Sequence, residues 1–255
     1  MLAVESMGEL LDEIAALVRA AVHPARGTIS LSPEVAVALE KCPSGASVVG
    51  AAAQAGEGNL DAPSEPGPHR TLDELAEVVA GCKACGLCDG RTQTVFGSGN
   101  PHADLVFVGE APGEQEDLQG LPFVGRSGGL LTDIVEKGMK LRWEDVYICN
   151  VIKCRPPGNR DPRPDEKSVC EPYLLEQLDL IQPKVICALG GHAATTLLET
   201  KESTGRLRGR WHSYHGVPLR VTYHPAYLLR SPGEKKKTWA DIQEVIKVLS
   251  GESVP

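Results

Sequence analysis

An α/β fold built on a central four-stranded parallel sheet flanked by helices is what the sequence predicts, and three observations predict it. Four short apolar runs recur at 104–109 (DLVFVG), 145–150 (DVYICN), 184–190 (KVICALG) and 218–224 (PLRVTYH). The runs are continuous rather than alternating, as expected for strands covered on both faces. Helical patterns separate them, over 127–139, 165–180 and 191–199, and a last helix fits 235–250. Such strand–helix–strand crossovers are expected to be right-handed.

The chain begins less informatively. Residues 8–22 set Leu10, Leu11, Ile14, Leu17, Val18 and Ala21 on one helical face. Segment 1–22 therefore reads as an amphipathic helix, either a docked arm or a surface for a protein partner. Residues 23–68 are rich in Ala, Gly, Pro and Ser and hold no Phe, Trp or Tyr. They can bury little and read as a flexible linker. Patterned sequence starts near Thr71. TLDELAEVVAGC predicts a helix with Thr71 as N-cap and Glu74 completing a capping box. The expected organisation is thus an N-terminal arm followed by one folded domain over 69–251.

Composition narrows the function classes. The chain has 255 residues, is 42% hydrophobic and carries a net charge of −8. There is no run of 18 apolar residues, so no membrane span is predicted. The N-terminus lacks a basic segment before its apolar residues, so a non-secreted, cytoplasmic protein is expected; a monomer is expected as well. The negative charge is unevenly placed. Residues 1–80 contain 12 acidic and 4 basic side chains, whereas the rest of the chain balances at 22 of each. Residues 201–237 are locally basic, with Lys201, Arg206, Arg208, Arg210, Arg220, Arg230 and Lys235–Lys237 against Glu202 and Glu234. Such a stretch is either a solvated face or a phosphate-binding one.

Eight cysteines in a non-secreted chain point to metal binding or chemistry more than to disulfides. Cys82 and Cys85 form a C-x2-C pair, and Cys154 and Cys170 follow far downstream, separated by fifteen residues. Four thiolates at this spacing suit either a structural zinc or an iron–sulfur cluster. Cys88 extends the first pair to C-x2-C-x2-C. Cys149 and Cys187 lie within apolar runs and read as small buried hydrophobes. Cys42 sits in the linker without a visible role.

In an open parallel sheet, ligands bind beyond the carboxyl ends of the strands. Polar or glycine-rich residues follow every predicted strand at that end: Gly109–Gly113 (GEAPG), Asn150, Gly190-Gly191-His192 and His224-Pro225-Ala226. One such residue is usually a cap, but four in register predict a site.

These residues also carry a resemblance. GEAPGEQEDLQGLPFVG (109–125), NVIKCRPPGNRDP (150–162) and HPAYLLR (224–230) closely resemble the motifs of the thermophile-type, family-four uracil-DNA glycosylases. The match, cysteine spacing included, covers roughly residues 80–250, and residues 1–70 fall outside it. It implies a three-layer glycosylase fold and a base-excision repair enzyme, nucleoid-associated, that flips uracil from DNA and hydrolyses its bond to the sugar. It also implies a four-iron four-sulfur cluster on Cys82, Cys85, Cys154 and Cys170, with a structural role. The resemblance requires no cysteine at the place of Cys88, which implies a spare thiol and a competing ligand there.

The resemblance implies a base pocket made by Ala111, Gly113, Phe123, Asn150 and His224. Phe123 is similar to the family's stacking aromatic. The Asn150 amide offers donor and acceptor to uracil O4 and N3, where cytosine presents the opposite pattern. His224 is similar to the histidine that donates to uracil O2 as negative charge develops there. Ala111 stands where better-known uracil glycosylases carry an aspartate base, so bond breaking is expected to run ahead of water attack. Asn159 resembles the residue that holds the water. Glu110, the nearest carboxylate, contacts the base through its backbone or steadies the sugar cation. Glu116 and Asp117 belong either to the pocket wall or to solvent. Leu228 or Leu229 is the expected wedge into the stack, or else begins a helix packed on the core; Arg230, Lys235–Lys237 and the stretch 205–210 are expected beside phosphates. Three other readings compete: a uracil-DNA trapping protein of the same superfamily, an iron–sulfur electron carrier, and a nucleic-acid-binding module without catalysis. The trapping relative carries a basic, His-containing insert after the second motif, which is missing here. An electron carrier would not need the Asn, His and Phe at strand ends.

Overall fold

The structure is a computed structural model and describes residues 70–252. The expected amphipathic helix and linker of the N-terminal arm lie outside the described residues.

A capped helix opens the described chain. Helix α1 (Leu72–Ala80) starts at Thr71, whose Oγ1 accepts from the Glu74 N–H at 3.2 Å. Glu74 Oε2 accepts in return from the Thr71 N–H at 2.7 Å. This is the expected capping box, and it satisfies two helix-end donors.

The four apolar runs form the parallel strands β2 (Leu105–Gly109), β3 (Tyr147–Asn150), β4 (Val185–Leu189) and β6 (Val217–Thr222). Two short strands enlarge the expected four-stranded sheet to six. β1 (Ser98–Gly99) pairs antiparallel with β3, and β5 (Trp211–Tyr214) pairs antiparallel with β6, giving the order β1-β3-β2-β4-β6-β5. Both additions are half-exposed edges without a continuous apolar run, which explains their weak sequence signal.

Side-chain alternation divides the core between the two faces of the sheet. Val106, Val108, Ile186, Ala188, Leu219 and Val221 pack with Leu174 and Leu178 of helix α4 (Pro164–Ile181) and Ala194 of helix α5 (Gly191–Leu197). On the other face, Leu105, Phe107, Ile148, Val185 and Cys187 pack with Leu131 of helix α3 (Arg126–Thr132) and Val245 of helix α8 (Lys235–Leu249). The result is a three-layer arrangement. Helix α3 continues as a wider π-helical segment to Met139. Three short helices complete the order: α2 (Glu114–Gln119), α6 (Thr204–Leu207) and α7 (Pro225–Arg230).

One buried acidic group ties two layers together and another anchors a loop. Asp241 of α8 accepts from Arg208 (2.8 Å), Thr222 (3.1 Å) and Arg220 (3.3 Å), so α8 is clamped to β6 through charge as well as apolar contact. Glu166, fully buried in the first turn of α4, accepts a bidentate pair from Arg160 at 2.6 and 2.8 Å and the Arg163 N–H at 2.8 Å. Those bonds anchor the loop before α4.

The Arg160 hydrogen bonds, helped by the Arg163 N–H, hold the Glu166 carboxyl down at about 2. A depressed carboxyl stabilises the fold above its unfolded value and loses that contribution as pH falls through the folded one. We therefore expect urea melts to lose about 2 kcal/mol between pH 5 and pH 2 from this group, after allowance for the solvent-screened arginines. Glu166→Gln should remove that part of the acid sensitivity.

Candidate functional site

The carboxyl ends of the parallel strands open onto one cleft of about 810 Å³. Glu110, Ala111, Gly113, Phe123, Asn150, Asn159, His224 and Arg230 all line it. The strand register determines this convergence. Gly109 pairs with Asn150, and Leu189 with Thr222, so each strand delivers its next residues to the same level. Beyond the strand ends, Glu110 O accepts from the Ile152 N–H at 3.0 Å, which fixes the Glu110 backbone.

Asn150 ends β3 almost wholly buried. A Cβ on Gly109 would come within 2.3 Å of Asn150 Oδ1 and 3.0 Å of the Phe123 ring, so glycine permits amide and aromatic to meet there. From below, the buried Lys153 ammonium donates to Asn150 O at 2.8 Å and to Gln177 Oε1. It also lies 5.8 Å from the centre of the Phe96 ring. Burial pushes this ammonium below the usual lysine range.

His224 caps α7. Its Nδ1 accepts from the Ala226 N–H at 3.1 Å, so the proton of the neutral ring is assigned to Nε2. Burial first, then Arg230 and His192, pushes its pKa down to about 4. The ring is therefore a neutral donor near pH 7. Gly190 adopts φ +90° opposite it, and a Cβ there would lie 2.9 Å from His224 Cβ. Phe123, itself at φ 55°, stacks with the His224 ring at a centroid distance of 5.5 Å.

Glu110 has a buried Oε1 without a hydrogen bond. Burial pushes its carboxyl up, opposed by His192 and Lys167. His192 Nδ1 stands 3.5 Å from Glu110 Oε1, and Lys167 Nζ stands 4.0 Å from it. His192 Nε2 faces Asp161 Oδ1 at 3.8 Å. Ligand atoms of Glu110, Asp161 and His192 all lie within 4.8 Å of one another, close enough to share a cation. On the same rim, Asn159 adopts φ 54° and its Oδ1 accepts from Arg155 Nε at 2.7 Å.

Several expectations change. Leu228 is 1% exposed and packs into the core, whereas Leu229 is 38% and Tyr227 37% exposed. Leu228 is therefore not available as a wedge. Glu116 lines the cleft and accepts from the Val124 and Gly125 N–H groups. Asp117 does not reach the cleft wall; it is buried and holds the Thr92 N–H. The basic stretch also shrinks. Arg208 and Arg220 are committed to Asp241, and Arg210 pairs with Glu202 at 2.7 Å. Arg206, Arg230 and Lys235–Lys237 stay exposed, although Lys237 pairs with Glu234.

A second cavity gathers sulfur. Cys82, Cys85, Cys88, Cys154 and Cys170 line it, and no cysteine among the described residues is in a disulfide. Donors are aimed at three of the sulfurs. Arg91 Nη1 donates to Cys154 Sγ at 3.0 Å, the Lys153 N–H to Cys170 Sγ at 3.4 Å, and Tyr173 OH to Cys82 Sγ at 3.5 Å. Soft thiolate ligands with donors at the sulfurs suit zinc or an iron–sulfur group. Cys149 and Cys187 are fully buried in strands, as small hydrophobes would be.

Sequence reasoning missed several of these residues. His192 stood at a strand end but received no role, and Asp161 lay unremarked in the NRDP run. Lys153 and Arg91 gave no signal, because neither periodicity nor spacing marks a buried cation.

The comparisons agree with this architecture. Residues 96–243 match the family model described as the uracil DNA glycosylase superfamily. A type-4 uracil-DNA glycosylase from Thermotoga maritima is 47% identical, over 63% of this chain and 86% of the relative. One from Archaeoglobus fulgidus is 42% identical over 72% and 96%, and one from Saccharolobus solfataricus is 41% identical over 72% and 88%. A type-5 enzyme from Pyrobaculum aerophilum is 28% identical over 61% and 67%. With its parallel strands, cleft and matching region taken together, the chain belongs to the uracil DNA glycosylase superfamily.

Proposed function

We propose that this protein is a uracil-DNA glycosylase of the type-4 kind, which hydrolyses the bond between uracil and deoxyribose and leaves an abasic site for base excision repair. The observation that carries this reading is His224. It is placed by a strand end, oriented by its own cap and held neutral, so Nε2–H is a donor in the same cleft as the Asn150 amide and the Phe123 ring.

In this reading the flipped uracil stacks on Phe123, against the loop of Ala111 and Gly113. Asn150 reads O4 and N3, with its backbone held by Lys153. As the C1′–N1 bond breaks, its electron pair moves into the uracil ring and onto O2, where His224 Nε2–H donates. A neutral donor suits this step because it stabilises developing charge without a prior protonation. The sugar becomes oxocarbenium-like, and the Glu110 carboxylate lies on the side that can offset that charge. Water then adds to C1′ and loses a proton to solvent, while the uracil anion takes one up and leaves as free uracil. Asn159 holds that water, its amide oriented by Arg155. Leu229 takes the place of the lost base, and Arg230, Lys235 and Lys236 meet phosphates.

Cys82, Cys85, Cys154 and Cys170 would hold a four-iron four-sulfur cluster, which supplies a structural staple between the region after α1 and helix α4. The donors at three of these sulfurs support that fit. Catalysis is assigned to residues 69–251, acting as a monomer on uracil-containing DNA in the cytoplasm, with the N-terminal arm left for a protein partner.

Release of free uracil from a single-uracil oligonucleotide tests the reading directly; a protein that binds but releases none is not a glycosylase. Under single turnover, Asn150→Ala and His224→Ala should each lose roughly 10²–10³ in rate, the scale of one preorganised donor. Their DNA affinity should stay near the parental value, because both contacts strengthen in the transition state. Lys236→Ala should do the reverse, weakening binding to any sequence and lowering the salt slope by about one unit. Anaerobically purified protein should carry roughly four irons per chain; one zinc and no iron would remove the cluster assignment. Leu228→Ala should cost about 2–5 kcal/mol in a melt, while Leu229→Ala should stay within about 0.5 kcal/mol yet slow excision from duplex DNA.

A further inference from the structure

Two groups of side chains meet in the cleft: Asn150, Phe123 and His224 are one, and Glu110, Asp161 and His192, whose ligand atoms lie within 4.8 Å of one another, are the other. Of the second group, only Glu110 has so far been given work. We propose that His192 is a positioning residue: its imidazole stands between two carboxylates and holds Glu110 ionised and aimed into the cleft, with Asp161 steadying the far edge of the ring. This inference rests on the reading of Glu110 as the carboxylate beside the sugar.

The geometry is specific. His192 lies in the first turn of α5, immediately after the β4 strand end, so its backbone is fixed. Nδ1 faces Glu110 Oε1 at 3.5 Å and Nε2 faces Asp161 Oδ1 at 3.8 Å. Glu110 Oε1 is buried and lacks any hydrogen bond, so a small rotation of the exposed His192 ring would supply the missing donor. An orphaned buried acceptor is costly, and a donor to the charged form favours ionisation.

The groups facing Glu110 come from three elements. His192 stands on α5 and Lys167 on α4, at 4.0 Å; both oppose protonation. Asp161, in the loop before α4, acts the other way. Burial also favours the neutral acid, so the ionised form depends on His192 and Lys167. Of these, His192 is the closer. His192 also adds to the effects that keep His224 unprotonated, so one ring favours the needed charge state on both sides of the cleft.

The test is the pH dependence of single-turnover uracil excision between pH 5 and pH 9. The parent, Glu110→Gln, His192→Ala, His192→Gln and Asp161→Asn are compared on one oligonucleotide. For the parent we expect rates that fall as Glu110 becomes protonated in acid. His192→Ala should move that fall upward by about one pH unit, the scale of one lost charged or hydrogen-bonding neighbour. His192→Gln keeps an N–H donor and should recover part of the shift. Asp161→Asn should move the fall by less than His192→Ala, because it removes an acid beside Glu110 while loosening the ring. Glu110→Gln should be slow and should lack the acidic fall. A His192→Ala profile that superimposes on the parent's would overturn the inference while leaving Glu110 in place. A Glu110→Gln enzyme that excises at the parental rate, or keeps the acidic fall, would instead remove the role of Glu110 itself. His192 is exposed and makes no core contact, so loss of folding is not the expected outcome; the Gln variant guards against it.

Discussion

Everything in the cleft depends on the register of the four parallel strands. Hydrogen bonding between neighbouring backbones sets Gly109 beside Asn150 and Leu189 beside Thr222. Because side chains alternate with a period of two, a slip by one residue would turn Asn150 to the opposite direction and exchange the side chains packed in the two buried layers. The same ladder carries on past the strands, where Ile152 N–H reaches Glu110 O. Positioning is thus inherited from the most buried part of the molecule. Rigid placement of that kind is what transition-state contacts need. The loops need only carry the residues that follow.

The polar interior explains how such a sheet stays fixed to its helices. Apolar burial holds the layers together but has no direction. Asp241 with Arg208, Arg220 and Thr222 ties α8 to β6 at one orientation, and Arg220 also lies 5.4 Å from the centre of the Trp211 ring. Lys153 does the equivalent beneath Asn150, with Gln177 further held by Phe96 O at 3.0 Å. Removing one member of such a network costs a great deal, because it leaves a charge buried and uncompensated. Lys153 also sits next in sequence to Cys154, and its own N–H reaches Cys170 Sγ. The sulfur cavity and the Asn150 amide of the cleft therefore share one short segment of chain.

Much of this was legible in the sequence, and the boundary is physical. The parallel strands, the flanking helices and the Thr71 cap follow from local rules of periodicity and capping, and they appear as expected. The strand-end residues were legible because topology alone places them at one edge. The two edge strands were not, since each is short and half-exposed. Buried cations were invisible too: Arg208 and Arg220 read as part of a basic face because nothing local announces that Asp241 lies across from them. Leu228 and Leu229 differ only by a 100° turn of α7, and one turn decides which of them is core. Asp161 and His192 meet across two loops and a strand end, a juxtaposition that only the folded chain supplies.

The charge pattern of the cleft follows from how differently its two sides are buried. His224 is enclosed and near Arg230 and His192, so it stays neutral. Glu110 is less enclosed and near His192 and Lys167, so its tendency to take up a proton is opposed. Hydrolysis of an N-glycosidic bond separates charge: the base gains electrons and the sugar loses them. On the proposed reading, a donor that is already neutral beside the base does not need to gain a proton before it acts, and a carboxylate held ionised beside the sugar does not need to lose one. Ala111, on the cleft wall, has no side chain that could accept a proton. Preorganised electrostatics on both partners of the breaking bond can then take the place of a dedicated base, because a dissociating sugar asks little of its nucleophile.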